Sequence, residues 1–139
     1  MIEKNVLIPG APDQAFALFV ERINEWWPPG HRPSKDRHGT VVLTPERFAD
    51  IASDGTAYPI GRVVGWFPPD RIELDFYLGT GPDAPTAATI TFTAEADGTR
   101  ITVRHRAKPE SVALWNLRAP VFEKSWTVVL EACRQLASA

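Results

Sequence analysis

Along the last third of the chain Trp115, Ala119, Phe122, Trp126, Val129, Cys133 and Leu136 recur at spacings of 4, 3, 4, 3, 4 and 3. That spacing sets all seven on one stripe of a helix. Upstream the period changes from that of a helix to that of a strand. From Arg71 to Leu78, Ile72, Leu74, Phe76 and Leu78 alternate with Glu73, Asp75 and Tyr77, which predicts a strand with one apolar face. Asp97-Gly98 is a strong signal for a two-residue hairpin turn. Pairing Ala96 with Thr99 sets Ala94 opposite Ile101, Phe92 opposite Val103 and Ile90 opposite His105, and gathers the apolar side chains on one face. His105 is the polar residue that this register forces onto that face.

The remaining segments complete an order of elements. Ile2 to Ile8 is a β-branched run ended by Pro9-Gly10, and Ala11-Pro12-Asp13 opens a helical pattern with Ala15, Phe16, Leu18, Phe19, Ile23, Trp26 and Trp27 on a broad face. Pro28-Pro29-Gly30 stops it, because proline cannot continue a helix and restricts the residue before it. Gly30 to Gly39 has no hydrophobic period and reads as a loop. Strands are expected over Thr40 to Leu43, Arg47 to Ala52 and Ala57 to Phe67, with turns at Ser53-Asp54-Gly55 and Pro68-Pro69-Asp70. Pro120 is expected to divide the terminal helix into a short piece near Ser111 to Leu117 and a long one from Pro120 onward. Strand, helices, a run of antiparallel strands and a long last helix make an α+β plan with the helices on one face of one sheet. At 139 residues one domain over 1–139 is expected, large enough to bury a core.

Composition narrows the function classes. Fifteen Lys plus Arg against 17 Asp plus Glu, a net charge of −2, give no basic footprint for a nucleic acid or an anionic membrane. No run of about 20 apolar residues suggests membrane insertion, and the N-terminus lacks the apolar stretch of a signal peptide. The single cysteine, Cys133, lies on the apolar stripe and reads as a small buried hydrophobe in a reducing cytoplasm.

The order of these elements carries a resemblance. The tract Asp54-Gly55-Thr56-Ala57-Tyr58-Pro59-Ile60-Gly61-Arg62-Val63 leads to Pro68-Pro69-Asp70-Arg71-Ile72, followed by the hairpin Asp97-Gly98-Thr99-Arg100-Ile101-Thr102-Val103 and the late Ser125-Trp126. With the early Pro9-Gly10-Ala11-Pro12, Phe16 and Trp26-Trp27, it resembles the SRPBCC (START-like) superfamily, in the branch named after the activator of the heat-shock protein 90 ATPase. The resemblance implies a helix-grip fold: a curved antiparallel sheet wrapped around the C-terminal helix, with a cavity between them. It implies a small-molecule binding protein for apolar, aromatic or lipid-like ligands, with cyclases and hydrolases among its relatives. It also leaves a chaperone contact as an alternative, through an outer sheet face of Thr89, Thr91, Thr93, Thr102, Arg104 and Arg106. The family shares no catalytic residues and no cofactor that could be carried over.

Two constellations follow. Leu74, Phe76, Ile90, Phe92, Val103, His105, Trp115, Phe122 and Trp126 are the expected cavity wall, and the same aromatics can instead fill the interior. His105 is the candidate general base of an enzyme reading, and the plainer alternative is a core histidine satisfied by hydrogen bonds. His31, Asp36 and His38 are metal-ligand types, but no helix or hairpin spaces them, and they read as a solvated loop. Arg32, Lys35 and Arg37 in that loop can steer an anion if the loop lies at a cavity mouth.

Overall fold

The period-2 segments form one seven-stranded antiparallel sheet, ordered β1-β7-β6-β5-β4-β3-β2, in a computed structural model that describes residues 1–139. Its strands are β1 (Ile2–Ile8), β2 (Thr40–Thr44), β3 (Arg47–Ile51), β4 (Ala57–Phe67), β5 (Arg71–Phe76), β6 (Thr86–Glu95) and β7 (Gly98–Arg106). The sheet curls around the last helix, α3 (Val112–Ala137), in the helix-grip arrangement. Between β1 and β2 lie α1 (Pro12–Glu21), α2 (Ile23–Trp26) and a single 3-10 turn, Pro29–His31. Pro12 sits where its missing N–H is not needed, and the Gln14 side-chain oxygen accepts the Ala11 N–H at 2.9 Å.

Three sequence expectations change. The β6–β7 hairpin pairs Glu95 with Gly98, Phe92 with Ile101, Ile90 with Val103 and Ala88 with His105. That is a slip of two residues from the expected pairing, so every side chain keeps its face while its partner changes. Gly98 is in the strand and not in the turn, because β1 runs beside it. A Cβ there would stand 2.1 Å from the Ile8 carbonyl oxygen. Next to it, Thr99 pairs with Ile8 and donates its hydroxyl hydrogen to the Gly10 carbonyl at 2.8 Å.

Second, α3 is continuous through Pro120 and does not split there; one 3-10 turn at Pro109–Ser111 leads into it. Pro120 and Asn116 are both exposed, so the carbonyl that loses its helical donor is left in water. Third, β5 ends at Phe76, not at Leu78. Gly79 and Gly81, with φ of 88° and 89°, turn the chain away from the sheet. β4 keeps its expected span, and register shifts beside Gly61 and Gly65 explain why its alternation is blurred.

The core lies between the sheet and the helices. The middle of the α3 stripe is buried through Phe122, Trp126, Val129 and Cys133, with Leu130 beside them, whereas Trp115, Ala119 and Leu136 are half-buried. Each large side chain buried in this way contributes about 2 kcal/mol of transfer free energy. α1 packs through Phe16 and Phe19 onto Phe92, with ring centroids 5.0 and 5.5 Å apart.

Candidate functional site: a pocket beside the terminal helix

The interior holds two groups of rings. One runs from Phe92 through Phe19, Trp26 and Trp27 to Phe48, with successive centroids 4.9 to 5.6 Å apart. The other surrounds His105, with Phe76, Trp115, Phe122 and Trp126 at 4.5 to 5.9 Å from its ring. Between Trp27 of the first group and Phe76, Phe122 and Trp126 of the second lies a cavity of about 240 Å³. Leu78, Val121, Ser125 and Val129 extend this wall, and Gly30, His31, Arg32, Pro33 and Lys35 form its opposite side. Gly79 completes it where a glycine is required: a Cβ would come within 2.8 Å of the Phe122 ring.

Of the residues expected at the site, Phe76, Phe122 and Trp126 line this cavity. Leu74, Ile90, Phe92 and Val103 are fully packed in the sheet-side core, and Trp115 lies half-buried against His105, so none of these five is in its wall. The loop residues, Trp27 and the Leu78-Gly79 turn carry no periodic signal that would place them there. The basic composition of Arg32 and Lys35 was the one hint in the sequence.

His105 has no exposed surface, and both ring nitrogens are engaged. The Trp126 indole N–H donates to Nδ1 at 3.0 Å, and Nε2 lies 2.6 Å from the Thr86 hydroxyl, which in turn reaches the Phe76 carbonyl at 3.3 Å. An indole N–H can only donate, so Nδ1 must be the bare nitrogen and Nε2 carries the proton that goes to Thr86. Burial pushes the imidazole pKa down to about 4, which holds the ring neutral. In this arrangement neither nitrogen is available to a substrate proton. The ring instead fixes the indole of Trp126, one wall of the pocket. Cys133, also without exposed surface, has its thiol pushed up to about 12 by burial, and is not a nucleophile there.

The loop wall is tied down by long-range hydrogen bonds. The buried Asp50 carboxylate of β3 accepts the Ser34 N–H at 2.9 Å, and Asp36 accepts the N–H and hydroxyl of Ser53 at 2.8 and 2.6 Å. Those bonds, with the His38 N–H, hold the Asp36 carboxyl down at about 2, so it serves as a loop fastener. Arg32 donates to the carbonyls of Asn24 and Trp27 at 2.7 and 2.8 Å and to the Asn24 side chain at 2.9 Å. The Trp27 indole N–H donates back to the His31 carbonyl at 2.9 Å. His31 is half-buried, and desolvation lowers its pKa. No group of three or more metal-type side chains converges here.

No curated protein matches the sequence. Solved structures share the fold. The self-sacrificing resistance protein CalC from Micromonospora echinospora is 22% identical with a TM-score of 0.74, over 98% of this chain and 92% of that one. Protein MLL2253 from Mesorhizobium loti is 16% identical with a TM-score of 0.65, over 99% and 96%. The di-domain ARO/CYC StfQ from the steffimycin biosynthetic pathway is 16% identical with a TM-score of 0.57, and the chain spans 50% of its length. The family model of the activator of Hsp90 ATPase homolog 1-like proteins matches residues 11–137. With the helix-grip fold and nearly the whole length matched, the chain belongs to that family.

Proposed function

We propose that the protein binds a small aromatic or otherwise apolar ligand in the pocket between α3, the Leu78-Gly79 turn and the loop that follows α2. The observation that carries this reading is the cavity of about 240 Å³ left open between two groups of rings that otherwise pack closely. Trp27, Phe76, Phe122 and Trp126 all line it, and Gly79 keeps a side chain from crowding the Phe122 ring.

Size sets the ligand class. Drug-sized pockets enclose about 300–1,000 Å³, whereas an engineered cavity of about 150 Å³ takes benzene. A space between these limits suits one or two fused rings or a short chain. Wall rings favour stacking or edge-to-face contact, which contributes about 1 kcal/mol per pair beyond area burial. The solved neighbours support this reading through the shared fold alone. A cytoplasmic location belongs to the same proposal, motivated by the buried free thiol of Cys133.

Native mass spectrometry on protein purified under mild conditions, followed by a screen of aromatic and short-chain compounds, tests the proposal. A one-to-one adduct, or a binder that changes the emission of Trp27 and Trp126, is the expected result. An interior that takes up no member of the screen removes the reading.

A further inference from the structure

Resting on the ligand-binding reading above, we infer that the ligand is a small aromatic carboxylate, its rings against Phe76, Phe122 and Trp126 and its anionic group toward Arg32 and Lys35. The chain as a whole is acidic, with 17 Asp plus Glu against 15 Lys plus Arg. Its pocket is the reverse: the lining contains Arg32 and Lys35 and not one carboxylate. A wall drawn at random from this chain would carry as many acids as bases.

Arg32 is held in place without being neutralised. Its guanidinium donates to the carbonyls of Trp27 and Asn24 and to the Asn24 side-chain oxygen, all of them uncharged acceptors. Those contacts use four of the N–H···O bonds a guanidinium can make with its five hydrogens, so the charge is positioned while one donor is left. The acidic group that acts on it is the buried Asp50, which makes no ion pair with Arg32; one of its oxygens accepts the Ser34 N–H and the other has no hydrogen-bond partner. A preset cation beside an apolar floor favours an anion more than bulk water does, because the ligand has little surrounding structure to reorganise.

Lys35 supplies the second charge at the rim. It is exposed, forms no salt bridge, and is the one non-glycine residue with a positive φ, 56°. Asparagine tolerates that backbone region and carries no charge. Lys35→Asn therefore removes the charge without asking the loop to refold. His31, the third polar side chain on this wall, is kept toward its neutral form by desolvation and adds no fixed charge near pH 7.

Naphthalene-2-carboxylate and naphthalene-2-methanol carry the same rings and differ in charge, so titrating both against tryptophan emission separates the two levels of the proposal. At low ionic strength the carboxylate is expected to bind about tenfold tighter, the ratio one charge-assisted hydrogen bond provides. That advantage should shrink in 0.5 M salt and in Lys35→Asn, because each weakens the carboxylate more than the alcohol. Equal affinities for the two compounds overturn the anionic inference and leave the apolar pocket standing. Binding of neither, with circular dichroism unchanged, overturns the pocket reading and this one with it. A carboxylate preference insensitive to both salt and Lys35→Asn also overturns the assignment of the charge to this rim.

Discussion

His105 shows how one residue links the sheet, the helix and the pocket. Its two hydrogen bonds exist together only for the neutral ring, because a protonated Nδ1 could no longer accept from the Trp126 indole. The folded-state pKa, about 4, lies below the ordinary value of 6.5. Between those values the unfolded chain takes up a proton that the folded protein refuses, so stability falls as the pH falls from 6.5 to about 4 and this contribution is fully lost below that. Two to three pH units correspond to about 3 kcal/mol for a group this deeply buried. Half-buried His31, also lowered by desolvation, adds in the same direction. Urea denaturation at pH 7 and pH 5 should show the loss as a lower midpoint. His105→Phe should flatten this pH dependence and cost about 1–3 kcal/mol at pH 7, since it leaves the Trp126 N–H unpaired in the core. An unchanged pH slope in that variant would show that the proton uptake occurs elsewhere.

At the scale of elements, Pro120 is the clearest local conflict. It stands in the interior of a 26-residue helix, on its exposed side, where it withholds a hydrogen bond from the Asn116 carbonyl. The helix persists because the burial of Phe122, Trp126, Val129 and Cys133 on the other side outweighs that loss. Pro120→Ala restores the donor and should stabilise the protein by about 1–3 kcal/mol, a rise of several degrees in Tm measured by calorimetry. The same balance explains what could be read from the sequence. Strand faces were legible because period 2 survives a register slip of two, as β6 and β7 show. Their exact pairing was not, because it depends on β1 crossing beside Gly98, a contact some 90 residues away in the chain. The helix continuity at Pro120 was also hidden, since tertiary burial and not local propensity decides it. The Phe76, Phe122 and Trp126 part of the wall followed from the alternation and the helical stripe. Trp27 and residues 30–35 did not, because Ser34 to Asp50 and Ser53 to Asp36 are bonds across 16 and 17 residues with no periodic trace.

For the molecule as a whole, the question is whether the space beside α3 is a working cavity or slack left by an imperfect fit. The curled sheet fixes one side through Phe76, α3 fixes another through Phe122 and Trp126, and the fastened loop closes the third. Ser125 faces the same space from the helix, half-buried and small. Replacing it by tryptophan adds an indole where the structure has room, so the variant should fold with the same circular dichroism and lose little or no stability, because filling a void recovers dispersion contacts. Its ligand affinity should fall by at least about a hundredfold, since the indole occupies the volume a bound ring would take, equivalent to about 2.7 kcal/mol. A cavity that mattered only as slack predicts the same stability but no change in any binding. If Ser125→Trp instead binds as tightly as the parent protein, the ligand sits elsewhere, and the pocket beside α3 is a packing defect that the helix-grip fold tolerates.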